Sequence, residues 1–468
     1  MRRVLAGLMG LAVAAPGMAQ AQATRPDQEA FRAIYKELVE TNTTLSVGSC
    51  TEAAAKVAGR LKAAGFADAD LHQITDPEHP KEGSLVAVLK GSDPKAGAVL
   101  LLGHLDVVEA RREDWTRDPF TLIEEGGYFY ARGAADMKGL DAIWIDTLIR
   151  LKQAKAPPKR TLKMALTCGE ETAEAFNGAN DLVLNHPDLI KADFVLNEGG
   201  GGRLSADGKR ELLSVQVGEK TPQNYLVTVT NPGGHSSRPR PDNAIYQLAE
   251  ALLRVKAYAF PAKFTETTRV GFGIRAEQND PAGAALKKLL ADPSDVEAAR
   301  VASIDINVNS ILHTNCVTTR LDAGHASNAL PQRATAIINC RIFPGETVEG
   351  TAETLRKVMA DPQVKVEVIQ PVRPIAVSPP LDPKVVGPMK EIAAKHFPGV
   401  PLIPSMSSGA TDGRYFGPVK TPVYGVPGVF GDPDGNGAHG LNERIRVRSL
   451  YEGRDYLFDL IKVYVGAK

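Results

Sequence analysis

In the N-terminal part of the chain, short unbroken apolar runs alternate with stretches whose apolar residues recur every three or four positions. The run Ala98-Val99-Leu100-Leu101-Leu102 contains no polar position, as a strand buried on both faces requires. Residues 84–89, 162–167 and 194–196 predict further strands, and residues 27–42, 51–64 and 139–152 predict helices. Strands alternating with helices in this way imply an α/β layer built on a mainly parallel sheet.

Near Val217 the period changes. Residues 225–230 alternate apolar and polar, as a half-exposed strand does. An amphipathic helix follows at 244–256, strands at 311–321 and 335–342, a helix at 348–359 and a strand at 364–369. That order, β-α-β-β-α-β, is the ferredoxin-like arrangement with an antiparallel sheet. Residues 258–303 interrupt it and read as irregular, apart from a short helix at 282–292. Beyond this the chain returns to apolar strands, among them 423–429, and ends in a helix at 449–465. The expected organisation is a larger α/β domain in two parts, residues 24–217 and 373–468, with a small α+β domain, residues 218–372, inserted between them.

Composition narrows the function. Lys+Arg and Asp+Glu both number 55 in 468 residues, so the formal net charge is zero and no basic excess marks a nucleic-acid footprint. A small anionic substrate is compatible with this balance, because one well-placed arginine can hold it. Residues 1–23 begin with Arg2 and Arg3, continue through an apolar run from Val4 to Ala15 and carry Ala19-Gln20-Ala21. This is the pattern of a secretory signal peptide, and the run is shorter than the roughly 20 apolar residues of a membrane span. The expectation is an exported protein, periplasmic or secreted, with no membrane span. Cys50, Cys168, Cys316 and Cys340 could oxidise in such a compartment. Three full pairings are open, and spacing does not choose among them.

Five clusters carry candidate chemistry. His104 follows the apolar run, in Gly103-His104-Leu105-Asp106. On an extended chain His104 and Asp106 lie on one side, so the carboxylate can orient the imidazole; the triplet alone also fits an ordinary His–Asp contact. Asp136 stands among Gly and Ala before a helix, fitting either a metal-bound carboxylate or an N-cap. Glu170 and Glu171 follow the strand at 162–167. Adjacent carboxylates at a strand end need a cation or protons to neutralise them, unless the turn is simply solvated. One could bind a metal while the other moves a proton. Glu198, in Asn197-Glu198-Gly199-Gly200, again ends a strand, and His439 lies in Gly437-Ala438-His439-Gly440. Taken together the set is a mixed nitrogen and oxygen donor group suited to zinc rather than to magnesium or calcium.

The motifs GHLDVV, ARGAADMKG, CGEE, NEGG, GGHSSRP, SNALPQ, CRIFPGE, SGATDGRYF and GAHGLNE run in order from residue 103 to residue 443. In this the chain resembles the zinc exopeptidases of metallopeptidase family twenty. That family includes aminoacylase, glutamate carboxypeptidase, Gly-X carboxypeptidase and succinyl-diaminopimelate desuccinylase. The resemblance makes the outer domain catalytic and the inserted one a lid or dimerisation domain. It implies two zinc ions per chain held by His104, Asp136, Glu171, Glu198 and His439, with Asp136 bridging. Glu170 matches the general base, and Asp106 the orienting carboxylate. His235 matches a histidine that reaches the active site across a dimer contact. Arg341 and Asn328 match groups that hold the substrate carboxylate, with the backbone around Gly409 lining the same pocket, and the Asp136–Met137 peptide is expected to be cis. The implied activity is hydrolysis of an amide or peptide bond beside a free carboxylate, as in a carboxypeptidase or an N-acyl-amino-acid hydrolase. A desuccinylase-type amidase uses the same chemistry. A catalytically inactive periplasmic binding protein is disfavoured because all five ligands and Glu170 are present. Asp412 reads as a supporting loop residue rather than a ligand, and His313 and His325 as structural.

Overall fold

The computed structural model describes residues 25–154, 157–172 and 176–467, so the expected signal peptide lies outside the described residues. At the centre is a ten-stranded mixed sheet. Its middle strands, Thr161–Thr167, Ala98–His104, Phe194–Asn197 and Val423–Gly425, are neighbours and run parallel. Antiparallel strands Leu71–Ile74 and Ser84–Leu89 extend one side.

The unbroken apolar run has a direct cause. Val99 and Leu101 enter a core with Phe31, Trp144 and Leu460, while Leu100 and Leu102 enter a second core with Leu182 and Phe416. With helices on both faces, alternation has no solvent side to serve. The helices Pro26–Glu40, Cys50–Ala63, Lys138–Gln153 and Val447–Val465 contribute to the first core, and Gly178–Asn185 to the second.

Between Thr221 and Val368 the chain forms a separate four-stranded antiparallel sheet. Its strand order is Asn315–Ala323, Arg333–Ile342, Thr221–Thr230, Lys365–Val368. Helices Ala244–Ala257 and Val348–Met359 supply Leu248 and Leu355 to a core that includes Tyr225 and Ile338. This is the ferredoxin-like order expected from the period change.

The stretch read as irregular is helical. Glu266–Ala276, Pro281–Ala291, Val296–Ala302 and Ile306–Leu312 surround their own core of Phe272, Leu286, Leu289 and Leu312. Each is capped by a side chain, from Thr265, Asp280, Asp295 and Asp305 respectively. The helix expected at 282–292 is Pro281–Ala291, while Val296–Ala302 and Ile306–Leu312 span seven residues each, too few turns for a period to emerge from the sequence. For the same reason the strand expected from 311 begins at Asn315, after the last of these helices. The group docks outside the four-stranded sheet, where the Thr267 hydroxyl donates to the Val217 carbonyl at 3.0 Å.

Both cysteine pairs are oxidised, Cys50 with Cys168 and Cys316 with Cys340. Among the described residues no helix is long and apolar enough to cross a membrane.

Candidate metal centre

Three adjacent parallel strands, Thr161–Thr167, Ala98–His104 and Phe194–Asn197, end at one edge of the sheet. Their carboxyl ends bring Glu170 and Glu171, His104 and Glu198 together, where open α/β sheets place their sites. Asp136 comes from the loop before Lys138–Gln153, and His439 from the loop before the strand Arg444–Arg446. Asp136 stands between the two histidines. Its Oδ1 is 3.3 Å from His104 Nε2 and its Oδ2 is 3.1 Å from His439 Nε2. Glu198 Oε1 is 3.7 Å from His104 Nε2, and Glu171 Oε2 is 2.8 Å from His439 Nε2. The five side chains thus form two sets, His104–Asp136–Glu198 and His439–Asp136–Glu171, that share Asp136.

These spacings fit two small cations. Zinc bonds of about 2.1 Å in a tetrahedron separate ligand atoms by about 3.4 Å, within the observed spread. His104 Nε2 is buried and makes no hydrogen bond within the described residues, which an imidazole nitrogen reserved for a metal explains. The electrostatics agree. Burial pushes Glu171 up to about 7 and Glu198 up to about 8, and burial together with the Glu198 charge pushes Glu170 well above the carboxylate range. Burial opposes the charge on His104, yet Asp136 and Glu198 hold its pKa well above normal. Contact with Asp136 raises His439 to about 9. Burial also opposes ionisation of Asp136, but both histidines outweigh it and keep its pKa low. Divalent cations in the two sets would supply the positive charge that these carboxylates lack.

Glu170 lies against one of the two sets, a carboxylate oxygen within 4.8 Å of the ligand atoms of His104 and Glu198. Its Oε1 is 3.9 Å from Arg414 Nη1. Asp106 is close to His104, but the pleat does not align them. The strand ends at His104, so the imidazole Nδ1 meets the Asp106 backbone carbonyl at 3.0 Å, with the carboxylate Oδ1 at 3.6 Å. The other carboxylate oxygen accepts from the Glu171 backbone N–H at 2.9 Å. Asp106 therefore braces one member of each set. Asp412 is buried and accepts from Asn177 at 2.7 Å and Thr167 at 3.1 Å, the supporting position expected of it. The Asp136–Met137 peptide is cis.

Glu443, in the motif GAHGLNE, has a role that the sequence pattern does not assign. Its carboxylate accepts from the backbone N–H groups of Gly133, Ala135 and Asp136 and from the Arg132 guanidinium. It cradles the loop that presents Asp136. The available signal was a carboxylate four positions after His439.

The remaining predicted residues are dispersed. His235 is exposed on the short ladder Gly234–His235 against Ala329–Leu330, with its Nδ1 2.8 Å from Ser237 Oγ. Asn328 is beside it, its carbonyl accepting from the Ser236 N–H at 3.0 Å. Arg341 lies in the four-stranded sheet, at the far end of the strand Arg333–Ile342, opposite Pro222 and Asn315, near enough to Arg414 to feel its charge. The strand from Arg333 to Arg341 covers roughly 27 Å at about 3.4 Å per residue. Within one chain, His235 and Asn328 are therefore remote from Arg341 and from the metal set. Gly409 is half-buried after the strand Leu402–Ser407, its N–H donating to Ser407 Oγ at 2.9 Å.

Residues 100–463 match the family described as Peptidase family M20/M25/M40. This chain belongs to that family. It is 30% identical over 391 residues to human N-fatty-acyl-amino acid synthase/hydrolase PM20D1, covering 82% of this chain and 77% of the relative. It is 26% identical to rat aminoacylase-1A, covering 81% and 83%. In fold it resembles an M20 family metallo-carboxypeptidase from Sulfolobus solfataricus, with a TM-score of 0.68 and 20% identity over 94% of this chain and 99% of the other. Another structure of the same fold, with a TM-score of 0.59 and 14% identity over 94% and 99%, is a dinuclear metal binding peptidase from Bacillus subtilis. The M20 chain described here is a metallohydrolase, with its candidate ligand groups gathered where the sheet strands end.

Proposed function

We propose that this M20 chain hydrolyses the amide bond of N-acyl amino acids or small peptides beside a free carboxylate, using two zinc ions. The observation that carries this reading is Asp136, whose two oxygens each face a different histidine. The ions would be held by His104, Asp136 and Glu198 on one side and by His439, Asp136 and Glu171 on the other. The imidazole and carboxylate mixture favours zinc. When bound, the metals supply Lewis-acid activation of water and of the scissile carbonyl.

The chain's own residues do the rest. Glu170 takes a proton from the attacking water and passes it to the leaving nitrogen. Its place beside His104 and Glu198 and its burial near Arg414 support that role. Asp106 keeps His104 and Glu171 in position. Arg341, with the backbone near Gly409 on the same cleft, binds the substrate carboxylate. His235 and Asn328 come from a second copy and complete the oxyanion and carboxylate contacts. Their distance from Arg341 within one chain supports a homodimer through the inserted sheet, as do Val317 and Leu321, exposed on its edge strand. Two disulfides support an oxidising, extracytoplasmic location.

The deciding experiment is a panel of N-acyl amino acids and dipeptides, assayed after chelation and again after zinc is restored. Zinc-dependent cleavage of carboxylate-ended members is expected. No cleavage of any member, or undiminished cleavage after chelation, refutes the reading.

A further inference from the structure

Lys220 stands where the chain passes from the central sheet to the inserted one, between the strands Arg210–Glu219 and Thr221–Thr230. Its side chain is fully buried. The ammonium donates to the His313 carbonyl and, at 2.5 Å, to Asn315 Oδ1. Asn315 opens the edge strand of the inserted sheet, directly opposite Arg341. On its other flank Arg341 faces Pro222, just after Lys220. The backbone here also grips the catalytic domain. Glu219 Oε2 accepts from the Thr411 N–H and hydroxyl, each at 2.9 Å, and the Lys220 N–H donates to the Ser407 carbonyl at 3.1 Å. Glu219-Lys220 therefore ties the segment carrying Gly409 and Arg414 to the strands that hold Arg341.

The charges gathered here lack an anion. Burial pulls Lys220 down to about 7, with the Glu346 charge opposing and the Arg341 charge assisting. Glu346 is itself engaged by Thr314 and, at 2.6 Å, by Lys263. Burial and the Arg414 charge both lower Arg341, and no carboxylate opposes them. Neighbouring cations in a partly dry region attract an anion, and each holds its proton more firmly once that anion is seated. The Lys220 ammonium is turned to neutral acceptors, so its effect on a substrate passes through Arg341. Resting on the hydrolase reading above, in which Arg341 binds the substrate carboxylate, we infer that Lys220 is a positioning residue of that clamp. It fixes the edge strand opposite Arg341 and strengthens the positive field at the guanidinium.

The test is kcat and KM for one N-acyl amino acid and its amidated analogue, in the zinc-restored full chain. Lys220→Met removes the charge and keeps the length of the side chain. It is expected to raise KM for the free acid about tenfold or more, the weight of a hydrogen bond to a charged group, and to leave kcat and the KM of the amide unchanged. In an Arg341→Ala background the same substitution is expected to change KM no further, because residues that act as one unit are not additive. An unaltered KM in Lys220→Met overturns the proposal. So do equal rises for acid and amide, which mark a merely structural role, and additive losses in the double variant, which mark a role independent of Arg341. Should Lys220→Met fold poorly, Asn315→Ala decides: a rise in KM confined to the free acid supports the proposal, and any other result overturns it. Absence of cleavage of either substrate by the wild type overturns the hydrolase reading itself, and the clamp with it.

Discussion

Arg132 and Glu443 form a fully desolvated ion pair, Nη1 to Oε2 at 2.7 Å, with both side chains buried. The second guanidinium nitrogen donates at 2.7 Å to the carbonyl of Gly440, which follows His439. The carboxylate meanwhile holds the backbone of Gly133, Ala135 and Asp136. One pair thus sets the loop of the shared carboxylate and the loop of a histidine at the same time. His439 has a positive φ of 59°, a conformation costing of order 1–3 kcal/mol and kept only where surroundings impose it.

Glu443→Gln should therefore weaken metal binding by about 10–100-fold, the usual cost of losing a group that orients ligands. Competition with a chelator of known affinity measures this. Glu443→Ala leaves Arg132 buried without its partner and should cost about 3–5 kcal/mol of stability, read from denaturant unfolding. Lost stability with unaltered metal affinity in both variants would reduce Glu443 to a packing role.

Glu170→Ala should retain its metal and lose turnover by about 10²–10⁴-fold, the range for a general base. Metal content by elemental analysis, set beside kcat, checks both halves. Near-normal kcat in this variant would remove Glu170 from the mechanism.

Arg341→Ala should raise KM for substrates with a free carboxylate while leaving amidated analogues almost unaffected. Loss of one charge-assisted contact is worth about 1.5–3 kcal/mol, roughly 10- to 150-fold in KM. If carboxylate and amide substrates suffer alike, the clamp is elsewhere.

His235→Ala and Glu170→Ala should each be nearly inactive alone. Mixed and allowed to exchange subunits, they should regain activity, because one site of the hybrid then has an intact Glu170 facing an intact His235 from the other copy. Failure to complement, with exchange confirmed by a size or mass tag, argues against a histidine supplied in trans.

The two disulfides should differ in weight. Cys50 and Cys168 are 118 residues apart, whereas Cys316 and Cys340 are 24 apart. Loop entropy assigns them about 5 and about 3.5 kcal/mol. Cys50→Ser should therefore lower stability more than Cys316→Ser. It should also lower kcat, since Cys168 is two residues before Glu170. A larger stability loss for Cys316→Ser would contradict the ordering.

Much of the fold was legible because the sheet is covered on both faces. That double burial imposes the unbroken run at Ala98–Leu102, while the half-exposed inserted sheet imposes alternation at Tyr225–Thr230. Of the helices between Glu266 and Leu312 the pattern shows Pro281–Ala291, whereas Val296–Ala302 and Ile306–Leu312 are too short to display a period, although their Asp caps stand in the sequence.

The sequence by itself determined which chemistry is available: two histidines, four carboxylates at or near strand ends, and the family they spell out in order. Tertiary structure alone decided how these groups meet. Local patterning carries no information on pairings across hundreds of residues. For that reason Asp136 between two histidines, Glu443 beneath its loop, and the choice among three cysteine pairings emerge only when the strands are laid side by side. The same holds for Arg341 and Asn328, near neighbours in sequence, of which Arg341 lies at the far end of the strand Arg333–Ile342 and Asn328 beside the separate ladder that precedes it.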